Sequence, residues 1–137
     1  MIIDRIARTV MESFDNSKII LAIVDREGCY VSSKIDLFEK VFDDPQMIDE
    51  MCKKIDDGCE PAITQMGNYL AAGAAIGEFG YSILLVPDYT PDKAAAYHDF
   101  VEIVLSQIGM LTENLLPESG NSRFAYCSDS LAGIPLN

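Results

Sequence analysis

One histidine and four cysteines are the side chains in this 137-residue chain best suited to moving a proton or attacking an electrophile. Nucleophilic catalysis needs a base beside the nucleophile. His98 stands next to Asp99 near the start of a long helical pattern, where a solvent-facing imidazole is expected. Cys29 follows a turn and has no base near it in the sequence. Cys59 comes just after the end of a helical pattern, where the dipole disfavours a thiolate. Cys52, Cys59 and Cys127 form no CxxC pair, so a zinc site would have to gather its ligands from scattered positions. No glycine-rich phosphate loop is present. These residues point to no catalytic constellation, no metal site and no cofactor, and the chain is not expected to be an enzyme.

Charge narrows the partners. The formal net charge is −12, with only 10 Lys plus Arg. Such a surface repels phosphate backbones and anionic lipid, so neither nucleic acid nor a membrane surface is an expected partner. Nine acids fall in residues 36–60 (Asp36, Glu39, Asp43, Asp44, Asp49, Glu50, Asp56, Asp57 and Glu60), against Lys40, Lys53 and Lys54. A solvated helix face accounts for them; a docking surface for a basic protein partner is the sharper alternative. No apolar run approaches the length of a bilayer span, and the N-terminal residues lack the uninterrupted apolar stretch of a signal peptide. A cytoplasmic protein with free thiols is expected.

The elements that would position these groups read clearly. Ile2, Ile3, Ile6, Val10, Met11 and Phe14 share one helical face. Residues 18–24 (KIILAIV) form a short apolar run, the pattern of a strand covered on both faces. A type I turn over Asp25-Arg26-Glu27-Gly28 leads to a return strand at residues 29–33. Residues 34–42 hold an apolar cluster on a short helix or turn. Asp44-Pro45 then starts an amphipathic helix with Met47, Ile48, Met51, Cys52 and Ile55 inward, and Gly58 ends it. Strands are expected at residues 60–66, 69–76 and 80–87. The middle strand, YLAAGAAI, is built of small side chains, which let something come close to the sheet. A packed helix is the plain candidate, most naturally the long C-terminal one, and a small ligand is the functional candidate.

The long helix, residues 91–116, organises the chain. Thr90 is placed to cap it, Pro91 suits its first position, and Pro117 prevents its continuation. Tyr97, Val101, Val104, Ile108, Leu111 and Leu115 recur at alternating spacings of four and three, a heptad seam. Phe100, Ile103, Leu105 and Met110 widen it. So broad a strip is expected to cover the sheet and also to meet a partner chain. Residues 118–137 lose all periodicity and read as an irregular tail, anchored by Phe124, Tyr126, Leu131 and Ile134.

The expected fold is a single α+β domain over residues 1–117: a five-stranded antiparallel sheet flanked by N-terminal and long C-terminal helices, with helices mainly on one side. In the hairpin AIVDREGCYV, the strand pair AAGAAIGEFGYSILLVPD and the helix end VLSQIGMLTENL, the chain resembles the GAF/PAS-type sensory superfamily, in a GAF/PAS/profilin-like arrangement. The roadblock (dynein light chain-like) family has the same element order. The GAF-like resemblance implies a small-molecule pocket between the sheet and residues 34–58, lined by Phe38, Phe42, Met47, Met51, Ala72 and Ala74. It also implies a homodimer through the first and last helices, with Ile3, Ile6, Val10, Tyr97, Val101, Val104, Ile108, Leu111 and Leu115 at the interface. A sensory domain acting in signal transduction by ligand binding and dimerisation follows. The roadblock-like alternative is a protein-interaction and dimerisation module without a pocket, using helix and strand edges.

Overall fold

The computed structural model describes residues 2–14, 18–58, 61–113 and 115. Its elements are α1 (Ile2–Ser13), β1 (Ile20–Asp25), β2 (Tyr30–Ser32), α2 (Ile35–Val41), α3 (Pro45–Asp56), β3 (Ala62–Met66), β4 (Tyr69–Ile76), β5 (Gly80–Val86) and, after a 3-10 turn at Pro91–Lys93, α4 (Ala94–Glu113). The five strands form one antiparallel sheet in the order β2-β1-β5-β4-β3. The α+β class, the strand count and the long last helix are as the sequence predicts.

Every residue of β1 and β5 is buried, and these two apolar strands lie side by side within the sheet. Alternation sends Leu21, Ile23, Leu84 and Val86 into one core with α1 and α4. It sends Ile20, Ala22, Val24, Ile83 and Leu85 into a second core with α2 and α3. The helices are therefore divided between both faces rather than gathered mainly on one. The excursion between β2 and β3 is long enough to carry two helices, and its apolar stripe must be buried against the face that α1 and α4 leave open.

Local signals explain the boundaries. Asp25 Oδ1 accepts hydrogen bonds from the backbone N–H groups of Glu27 and Cys29, both at 3.0 Å, and Gly28 at φ +88° completes the turn. Asp44 caps α3 by accepting from the Gln46 N–H at 3.0 Å, Pro45 opens it, and Gly58 at φ +99° closes it. Thr90 lies before Pro91 but makes no side-chain cap bond, and the long helix begins as the tight turn rather than as α-helix. The expected stop at Pro117 and the tail anchors Phe124, Tyr126, Leu131 and Ile134 lie outside the described residues, as do Cys59, Glu60 and Cys127. Among the described residues, no helix is long and apolar enough to cross a membrane.

The heptad seam faces inward. Val101, Val104 and Ile108 of α4, and Ile3, Ile6 and Val10 of α1, are 0–4% exposed in one core within a single chain. Tyr97 and Leu115 pack against that core, and Leu111 is half-buried. Tyr97 also donates to the carbonyls of Asp88 at 2.9 Å and Pro87 at 3.2 Å and meets the Tyr89 ring edge-on. Of the nine residues expected between two subunits, six are thus buried inside one, and Tyr97, Leu111 and Leu115 keep part of their surface. Heptad spacing marks a helix face that is buried but not what buries it, because a sheet and a second helix both select nearly the same period.

Candidate functional site

The small-residue strand decides where a ligand could lie. In β4, Ala71 and its alternate neighbours face α2 and α3, while Leu70, Ala72 and Ile76 face α1 and α4. Ala72 and Ala74 thus sit on the face opposite to the excursion with which they were expected to form a pocket. The pleat forbids the grouping: residues an even number apart share a face, and the excursion's side belongs to Ala71 and Gly73. Nor is the space over Gly73 vacant. A Cβ built there would come within 2.9 Å of Ile55 Cδ1, 3.2 Å of the Ser82 carbonyl oxygen and 3.6 Å of Met51 Cγ. On that face the closely approaching body is α3, not the long helix. The long helix covers the opposite face.

The remaining expected ligand-binding residues separate into two groups. Phe38 is 0% exposed, with the rings of Tyr30 at 5.4 Å and Phe42 at 4.9 Å, and serves as a core residue. Phe42, Met47 and Met51 do come together, at the wall of an open cleft of about 600 Å³ between α3 and the β3–β4 hairpin. Met66 and Tyr69 complete its apolar lining, and Lys40 and Lys54 stand in it with Asp43 and Glu50. The sequence reading missed Met66 and Tyr69 because they flank the hairpin turn and belong to no shared helical face with the others. Their placement follows only from the register Met66↔Tyr69 and from α3 lying across that end of the sheet.

A polar cluster ties the β1–β2 turn to the end of α3. Arg26 Nη1 donates to the Tyr81 hydroxyl at 2.6 Å and to Asp56 Oδ1 at 3.2 Å, and the Tyr81 hydroxyl donates to Asp56 Oδ2 at 2.7 Å. The hydrogen bond from Tyr81 is the main reason that the Asp56 carboxyl is held below its ordinary range, with Arg26 adding to it. Burial, followed by the bond to Asp56, pushes the Tyr81 phenol up to about 12. The neighbouring Cys52 thiol is pushed up to about 11, by burial first and then by Asp49 and Asp56. A thiol so disposed is a poor nucleophile at neutral pH. Elsewhere, Tyr30 donates to Glu39 at 2.6 Å, and that bond is the leading cause that raises its phenol.

The other residues singled out for chemistry stay apart. Cys29 and His98 are exposed. Among the described residues, no group of three or more His, Cys, Asp or Glu could hold a metal ion. The described acids of residues 36–57 are exposed, in keeping with a solvated helix face.

Part of what α4 leaves exposed is apolar. Phe100 is 42% exposed, Ile103 59% and Met110 66%, the last two being the most exposed large hydrophobic residues among those described. No known protein family, curated protein or solved structure matches the chain.

Proposed function

We propose that this domain is a protein-interaction and dimerisation module, of the roadblock-like kind in its element order, rather than a sensor that holds a small molecule over its sheet. The observation that carries this reading is Gly73: Ile55 and Met51 of α3 occupy the space that a ligand over the small strand would need. Surplus apolar surface lies instead on the outside of α4, where a binding partner can reach it. The sheet also ends in β3, whose outer edge has no strand beside it among the described residues, and an unpaired edge is a ready template for a second chain. Antiparallel pairing of two β3 edges about Thr64 would extend the sheet across a two-fold axis. Sedimentation velocity of the full chain at micromolar concentration tests the reading. A dimer is expected, together with its loss in Thr64→Lys, which sets like charges opposite each other across that axis. A monomer in the wild type overturns self-association.

A second reading has its own observation. The cleft beside α3 combines Met47, Met51 and Met66, which adapt readily to varied shapes, with Lys40 and Lys54, each within a lining that Asp43 and Glu50 also share. It suits a small molecule with an aromatic body and one anionic group. The dye 8-anilinonaphthalene-1-sulfonate is a direct probe: fluorescence enhancement with the folded chain that is lost in Lys40→Glu/Lys54→Glu supports this cleft, and enhancement unchanged in that variant removes it.

A further inference from the structure

We infer that the trough between α4 and the outer part of the sheet is a docking groove for a basic amphipathic helix of another protein. The proposal rests on the interaction-module reading and specifies the chemistry of one partner.

The groove follows from two properties of the sequence. Helix α4 is apolar on more than one face, so burying Val101, Val104, Leu105 and Ile108 against the sheet leaves Ile103 and Met110 outside. Seven residues apart, these two lie within about 20° of each other around the helix and form one ridge. Beside that ridge, β4 offers half-buried Ala74 on the face that α4 covers, so the sheet stays low where the helix does not reach it. The result is a trough of about 850 Å³ with an alanine floor and an Ile103–Met110 wall. Its lining runs from Asp99 to Met110, roughly 16 Å along the helix, which matches about three turns of an α-helical partner.

Charge selects the occupant. Among the described residues, the only ionisable side chains lining the trough are Asp99 and Glu102, both exposed carboxylates. Neither has an ion pair or a side-chain hydrogen bond among the described residues. A second copy of this chain docking by the same ridge would bring its own Asp99 and Glu102 against them. A helix with an apolar ridge flanked by Lys or Arg instead supplies the Leu-sized side chains the floor accommodates and the cations the rim lacks. The acidic field of the whole chain steers the same kind of partner.

The probe is a fluorescein-labelled helical peptide of leucine and lysine, with the leucines on one face. A scrambled peptide of the same composition and a leucine–glutamate counterpart serve as controls, and fluorescence anisotropy with the full chain is the readout. The wild type is expected to bind the leucine–lysine helix at least about tenfold more tightly than its scramble. Ile103→Asp is expected to lose about tenfold or more, as for a central interface anchor. Asp99→Lys/Glu102→Lys is expected to switch preference to the leucine–glutamate helix. Circular dichroism checks that each variant is folded, which the exposure of all three side chains favours. Equal binding of helix and scramble, unchanged binding by Ile103→Asp, or an unchanged preference in the charge-reversed pair overturns the proposal. So does loss of self-association in Ile103→Asp, which makes a second copy the occupant. Peptide binding by a monomeric wild type leaves the groove standing and removes self-association, whereas a dimer indifferent to the peptides does the reverse.

Discussion

Adding one methyl group at Gly73 tests the packing on which the functional reading depends. In Gly73→Ala the new Cβ would meet Ile55 Cδ1 at 2.9 Å and the Ser82 carbonyl oxygen at 3.2 Å, both closer than ordinary contact. Overfilling a packed core costs about 1–3 kcal/mol. Loss of glycine's freedom in the unfolded chain returns about 0.4–1 kcal/mol. A net loss of about 1 kcal/mol is expected. Ile55→Val removes the methyl that stands in the way and by itself costs about 0.5–1.5 kcal/mol. In the double variant the methyl introduced by Gly73→Ala takes the place of the missing Cδ1, so the pair should cost about 1 kcal/mol less than the sum of the single changes. Urea unfolding of the four proteins measures this coupling directly. Additivity within about 0.3 kcal/mol, or a Gly73→Ala variant more stable than the wild type, would mean that Ile55 does not rest over Gly73. The space above the small strand would then be open to a ligand, and the argument for an interaction module would lose its basis.

Three further outcomes follow from the same structure. Gly80→Ala should destabilise more than Gly73→Ala and is expected to abolish cooperative thermal unfolding, because its Cβ would run into the Val24 carbonyl oxygen and the Asp25 Cα, backbone atoms that cannot turn aside. The Tyr81 phenol is raised from 10.0 to about 12, so the stability tied to its protonated form is complete below pH 10 and is lost as pH rises from 10 towards 12; urea midpoints should fall over that range in the wild type and fall less steeply in Tyr81→Phe. Peptide mapping after iodoacetamide treatment at pH 8 should show exposed Cys29 modified well before Cys52, whose thiol is pushed up to about 11; equal rates would contradict its burial beside Asp49 and Asp56.

The elements were legible because each is set by short-range chemistry. Asp44, Pro45 and Gly58 mark both ends of α3, and the turn from Asp25 to Gly28 uses the carboxylate and the positive φ its sequence suggests. The continuous apolar runs of β1 and β5 correctly signalled strands buried on both faces. Side assignment was less accessible. Alternation along YLAAGAAI separates odd from even positions, but with alanine on both sides nothing in the residue types says which set faces which helix. Only the pairing of Gly73 with Ile83, and the lie of α3 across that pair, decides it. What covers the long helix was hidden for a related reason. Val101, Val104 and Ile108 have the spacing of a coiled-coil seam, and a sheet consumed it. Phe100, Ile103 and Met110 entered the reading only as residues that broaden that seam, yet they are the ones left outside.

Strand β4 links the two faces of the molecule, and its small residues have different consequences on each. Towards α3 the absence of a side chain at Gly73 lets Ile55 and Met51 approach the backbone, and the gain is close packing. Towards α4 the equivalent economy at Ala74 is not matched by a large residue from the helix: Leu105 turns into the core while Ile103 and Met110 stay at the rim. The same texture therefore produces a filled face and a half-open one. A strand made small solely to admit a helix would leave no trough on either side. Exposed Ile103 and Met110 also carry a standing cost, since greasy ridges on a free surface favour aggregation. Keeping them beside Asp99 and Glu102, which have no ion pair among the described residues, makes physical sense when a cationic, apolar partner covers the ridge. It makes little sense when α4 has no task beyond closing its own core.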